Sequence, residues 1–153
     1  MMLFSRYKNT LNTVANGKII PLEAVDDEVF STKMMGEGFA VTQHDGRVYA
    51  PVEGTITNIF PTLHAITLKS KAGDTLLIHM GLDTVELKGS PFSIKVIEGE
   101  TVTKNTLLAV IDLPQLKEAK KDATIVVVLP DIQKAKLFKR NHVAGIEEVV
   151  FKF

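Results

Sequence analysis

The chain has 153 residues, no cysteine, and 18 basic against 18 acidic side chains. That length suits one domain with one core, able to bury roughly 68–70 % of its unfolded surface without a staple. Lack of cysteine removes disulfides, thiolate metal sites and a thiol nucleophile; interspersed charges of zero net sum give no basic stripe for nucleic acid.

Residues 1–16 are read as an N-terminal segment apart from the domain, flexible or holding a frayed turn or short amphipathic helix over 3–14. The apolar run in "MMLFSRYKNTLNTV" is too short for a secretory signal. No window approaches about 18 apolar residues, so no membrane span is expected and the reading is a cytoplasmic protein. Residues 17–153 are expected to form one domain. "GKIIPL", "GFAVTQ", "RVYAPV", "GTITNIF", "HAITLKS" and "DTLLIHM" read as strands. So do "DTVELK", "FSIKVI", "NTLLAVID", "ATIVVVL" and "EEVVFKF". They are rich in Val, Ile, Thr and Phe, which suit a pleated surface. "QHDGR", "VEGT", "KAGD" and "IEGE" between them are glycine-containing hairpin turns. Helix is scarce: "LPQLKEAKKDA" predicts one short helix opened by Pro114, and "DIQKAKLFKR" a second capped by Asp131. Many short strands with such turns predict an all-β sandwich or barrel.

Four histidines punctuate this pattern. His44, in "TQHDGR", and His142, in "KRNHVAG", read as solvated loop residues without a task. His64 and His79 sit at or inside strands. A single imidazole within "DTLLIHM" is more often a satisfied core residue than a functional one, but its surroundings favour a task. Gly81 leaves room beside the ring and lets backbone groups approach. Asp83 and Thr84 add polar groups just beyond, and Thr62 lies two residues before His64.

If the two rings converge, the chemistry follows. Neutral imidazole is a competent nucleophile near pH 7. Attack on phosphorus needs an in-line approach and donors for the equatorial oxygens, which a second histidine and exposed amides supply. An apolar rim strengthens each contact. No glycine-rich loop with Lys-Ser/Thr is present to cradle a nucleotide, so the donor is not expected to be a nucleotide held by this chain.

Three ordered segments then carry a family resemblance: "VDDEVFSTKMMGEGFAV", "APVEGTITNIFPTLHAITLKS" and "GDTLLIHMGLDTVELKG". Together they resemble the EIIA domain of the glucose-type sugar phosphotransferase system, from about Gly17 onward. The resemblance implies an antiparallel β-sandwich of barrel-sandwich type with one or two short helices. It implies that His79 accepts a phosphoryl group on Nε2 from phospho-HPr, and that the group passes to a cysteine of an EIIB domain for sugar uptake. It also implies that His64 supports the group and is needed for onward transfer. Thr62 would orient His64, and the Gly81 carbonyl would fix the His79 tautomer. Asp27 and Asp83 match acidic rim residues; Phe30 and Phe60 match apolar residues of the partner-docking depression. No cofactor is required, and zinc bridging His64 and His79 is allowed only in a complex. Asp26, Leu63 and the Ser90-Pro91 pair depart from the family pattern and bear on partner choice.

Two further functions stand beside this one. A regulatory binding protein switched by phosphorylation of His79 is compatible with it. A zinc hydrolase using both histidines with Asp83 or Asp27 is the other, although the His-x-His pair of related metallopeptidases is missing around His79.

Overall fold

The computed structural model describes residues 7–137 and 140–153. Its strands, in chain order, are β1 (Thr10–Asn12), β2 (Gly17–Pro21), β3 (Glu37–Thr42), β4 (Arg47–Tyr49), β5 (Gly54–Ile59), β6 (Ala65–Ser70) and β7 (Thr75–Met80). They continue with β8 (Phe92–Ile94), β9 (Thr101–Val102), β10 (Leu107–Ile111), β11 (Ile125–Leu129), β12 (Lys136–Leu137), β13 (His142–Ala144) and β14 (Val149–Lys152). Two short helices interrupt them, α1 (Glu28–Ser31) and α2 (Leu113–Glu118).

The strands form an eight-stranded sheet of order β13-β2-β3-β11-β7-β6-β5-β9 and two three-stranded sheets, β4-β10-β8 and β1-β14-β12. The pairings are antiparallel, both within hairpins such as β6–β7 and between strands remote in sequence such as β3–β11 and β7–β11. The architecture is a β-sandwich. Its main core draws Phe39, Ile56, Leu68 and Ile78 from the large sheet, Val48 and Leu108 from one small sheet, and Leu11 and Phe151 from the other.

Strand alternation explains where the site lies. In β7, Leu76, Ile78 and Met80 are fully buried in that core, so Leu77 and His79 face the opposite side of the sheet. A smaller apolar cluster covers that outer face: Leu22, Val25, Phe30, Ala40, Leu82, Val126 and Val128. The run "IVVVL" of β11 is buried throughout because it serves both clusters.

Three expectations need correction, and one helix was not anticipated. Residues 10–16 are not a segment apart. Thr10–Asn12 is a strand paired with Lys152, Phe151 and Val149, and Leu11, Val14 and Ala15 are fully buried; residues 1–6 lie outside the described part. The helix expected from Asp131 is absent. Lys136–Leu137 instead pairs with Lys152 and Phe151, and tertiary pairing outweighs helix propensity; Phe138 and Lys139 lie outside the described residues. "DTVELK" is a 3-10 turn over Thr84–Leu87, not a strand, because left-handed residues at Asp83 (φ 57°) and Lys88 (φ 55°) bracket it. Finally, α1 carried no periodic signal; Asp27 makes it by accepting the Val29 N–H at 2.9 Å as an N-cap. The helix from Leu113 is present, with Asp112 accepting the Gln115 N–H and Pro114 in its first turn.

Candidate active site

His79 sits in the middle of the large sheet, with Ala65 of β6 and Val126 of β11 as its cross-strand neighbours. The register Ala65–His79 places the preceding residue, His64, beside it. The His64 carbonyl also accepts the Met80 N–H at 2.7 Å. His64 ends a tight connection from β5: Phe60 N–H donates to Ala65 O, Leu63 N–H to Phe60 O. Leu63 has φ 60°, a left-handed conformation uncommon for leucine. That bend turns His64 toward the outer face.

The two imidazoles meet edge to face, with centroids 5.0 Å apart and planes at 76°. Each also has an aromatic neighbour. Phe30 lies 5.1 Å from His79, and Phe60 lies 5.4 Å from His64. Phe30 is 5 % exposed and belongs to the outer cluster, so it walls the His79 ring on the side of α1.

The nitrogens are assigned by their partners. His79 Nδ1 lies 2.8 Å from the Gly81 carbonyl oxygen. A carbonyl only accepts, so Nδ1 carries the proton and Nε2 keeps its lone pair. Gly81 has φ 80°, and a Cβ there would stand 2.4 Å from Thr84 Cγ2. Glycine is therefore required for the carbonyl to reach the ring. The Thr84 hydroxyl donates to the Met80 carbonyl at 2.6 Å and ties the turn down. His64 Nδ1 lies 2.6 Å from Thr62 Oγ1. A hydroxyl can donate or accept, so this contact orients the His64 ring without fixing its tautomer.

Burial holds His79 below the ordinary imidazole value of 6.5; the Gly81 hydrogen bond and the charges of Asp27 and Asp83 oppose this without overcoming it. His64 is likewise lowered by burial, and further by the charge of neighbouring His79. Both rings are neutral at pH 7. The pair is thus an unprotonated His79 nitrogen beside a second neutral ring, on the side of the sheet that carries the smaller apolar cluster.

The structure brings His64, His79, Thr62, Gly81, Phe30 and Phe60 together by direct contact, and sets Asp27 and Asp83 where His79 feels their charge. Sequence reasoning missed the floor, Leu82 and Val126, and two exposed apolar residues on flanking elements, Val29 (42 %) and Val85 (47 %). An apolar side chain in a four-residue helix or turn gives no periodicity to read. Among the described residues, no three His, Asp or Glu side chains group closely enough to hold a metal ion. His44, expected to be a solvated loop residue, is half buried with both ring nitrogens engaged; His142 is exposed and pairs with Glu148.

The protein is an antiparallel β-sandwich with two facing imidazoles on the outer side of its large sheet, one of them with its tautomer set by a backbone carbonyl. Residues 9–135 match the family model of the phosphoenolpyruvate-dependent sugar phosphotransferase system, EIIA 1, and the chain belongs to that family. It is 42 % identical over 126 residues to the PTS system glucose-specific EIIA component of Halalkalibacterium halodurans, covering 82 % of this chain and 73 % of that one. It is 43 % identical over 136 residues to the PTS system glucose-specific EIICBA component of Streptococcus pneumoniae serotype 4, covering 87 % of this chain but only 19 % of that relative. The glucose permease IIA from Mycoplasma capricolum superposes with a TM-score of 0.85 at 30 % identity, over 99 % of both chains. As an EIIA component, the chain is a phosphocarrier in sugar uptake.

Proposed function

We propose that His79 Nε2 is the phosphoryl acceptor, that phospho-HPr is the donor and that an EIIB cysteine receives the group, in the cytoplasm. The observation that carries this is the His79 Nδ1–Gly81 carbonyl bond, which leaves Nε2 as the nucleophilic nitrogen. In acceptance, the N–P bond of phospho-HPr breaks as the Nε2–P bond forms. In donation, that bond breaks as a thiolate S–P bond forms, and His79 returns to its neutral state. His64 Nε2–H donates to a phosphoryl oxygen during onward transfer, with the Thr62 hydroxyl donating to its Nδ1. Asp27 and Asp83 have a different part. Their negative charges are felt at the His79 ring; they disfavour a resident phosphoryl anion and so keep its transfer potential high. Among the described residues no helix is long and apolar enough to cross a membrane.

Partner docking is supported by the exposed Val29 and Val85 and the half-buried Phe60; Phe30, expected to dock a partner, is 5 % exposed and backs the His79 ring instead. Phosphorylation adds about −1.5 to −2 charges there, which would weaken apolar contacts and let the same face regulate other proteins by phosphorylation state. Zinc is not required in this reading. Two imidazoles are too few for a metal site, so a zinc ion would need ligands from a partner. The same shortage disfavours the hydrolase alternative.

The test is incubation with phosphoenolpyruvate, enzyme I and HPr, followed by intact mass. Wild type should gain one phosphoryl group, His79→Gln none, and His64→Gln should accept but donate poorly. An unmodified wild-type mass would refute the reading.

A further inference from the structure

The hydrogen bonds that fix the His79 tautomer do not end at Gly81. Gly81 N–H donates to Thr124 O, and Leu82 N–H donates to Asp122 O, both at 2.9 Å. The residue between those two acceptors is Ala123, and its carbonyl accepts from His44 Nε2–H at 2.6 Å. The other His44 nitrogen, Nδ1, accepts the Gly46 N–H at 3.0 Å. An amide N–H can only donate, so this ring too has one tautomer. It clasps the turn between β3 and β4 to the connection between α2 and β11. That connection has little regular structure of its own; its further ties include an Asp122 side-chain bond to the Thr124 N–H, Lys120 N–H and Lys121 N–H bonds to Lys117 O and Leu116 O, the Lys121–Glu86 ion pair, and the packing of half-buried Ala123 against the main core.

We propose that His44 is a positioning residue for the phosphoryl acceptor: it anchors Ala123, the flanking Asp122 and Thr124 carbonyls thereby hold Gly81 and Leu82, and the Gly81 carbonyl holds the tautomer and aim of His79. The rate consequence rests on the phosphocarrier reading; the effect on the His79 tautomer does not. The alternative is that His44 only caps its own turn through Gly46.

The two nitrogens of His44 separate these roles. Glutamine places an amide N–H about where Nε2 stands and can still donate to Ala123. Asparagine places an oxygen about where Nδ1 stands and can still accept from Gly46. The experiment compares wild type, His44→Gln and His44→Asn. It reads the His79 ring tautomer by two-bond proton–nitrogen NMR in unphosphorylated protein, and the rate of phosphorylation by phospho-HPr. Thermal unfolding of each variant verifies the fold.

His44→Gln should keep the Nδ1–H tautomer of His79 and a rate near wild type. His44→Asn should raise the Nε2–H fraction and accept roughly three- to ten-fold more slowly, the size of one lost hydrogen bond. Wild-type tautomer and rate in His44→Asn would overturn the proposal, as would a His44→Gln defect equal to that of His44→Asn. If wild type itself takes no phosphoryl group, the phosphocarrier reading fails, while the tautomer spectra still decide the role of His44.

Discussion

His64 and His79 face each other at 5.0 Å because Ala65 is the cross-strand partner of His79. One residue of register slip would turn His79 into the main core and away from its neighbour. The pair is thus fixed by the β6–β7 ladder, and Thr62 adds only the final orientation of His64. Thr62→Val removes that hydroxyl at nearly constant volume. It should leave acceptance by His79 intact and slow transfer to an EIIB cysteine by about five-fold, the worth of about 1 kcal/mol. Rapid-quench transfer from the phosphorylated protein is the measurement; an unchanged donation rate would show that Thr62 does not orient His64.

Gly81 joins backbone strain to chemistry. Its φ of 80° and the 2.4 Å approach of a notional Cβ to Thr84 Cγ2 act separately. Gly81→Ala should cost about 3 kcal/mol, from left-handed strain of about 1–2 kcal/mol together with the overlap. Adding Thr84→Ser removes Cγ2 but keeps the hydroxyl that holds Met80 O. The double variant should regain about 1 kcal/mol of the loss. Urea unfolding of the four proteins checks this, and strict additivity would mean that the methyl overlap is relieved by other movement.

Much of this arrangement was legible in the sequence, and the illegible parts have physical causes. "DTLLIHM" and "ATIVVVL" read as strands and are strands, but the face that carries His79 and the cover on both sides of β11 emerge only from the packing. "PTLHA" gave a connection but not the positive φ of Leu63, which only tertiary packing sustains. "DTVELK" alternates like a strand and is instead a turn, since Asp83 and Lys88 adopt left-handed backbone. The task of His44 depends on a carbonyl remote in sequence, at Ala123, which no local pattern encodes. Leu11 looked like part of a loose terminus because its pairing partner, Phe151, lies at the other end of the chain.

Phe30 couples packing to titration. It is 5 % exposed, and its ring lies 5.1 Å from that of His79. Phe30→Ala should destabilise the protein by about 2–3 kcal/mol, below the usual 3–5 for a sealed core, because the outer cluster can admit water where the ring stood. The same water would relieve the burial that lowers His79. The His79 midpoint in an NMR titration should therefore move up toward 6.5. A stability loss without that movement would show that Phe30 supports the helix but does not dry the ring.

Stability should also follow pH through three histidines. Burial lowers His44, His64 and His79 below the ordinary 6.5. The unfolded chain therefore takes up protons first as pH falls through 6.5, and each such proton favours unfolding. The stabilising contribution is complete above 6.5, declines as pH drops from there toward the lowered folded-state values, and is constant below them. Urea midpoints between pH 7.5 and pH 5.5 should fall at unchanged m-value. His44→Gln removes one of the three groups while keeping its bond to Ala123, so its midpoint should fall less steeply over the same interval. A wild-type midpoint independent of pH in this interval would show that the three rings are as free to protonate in the folded protein as in the unfolded chain.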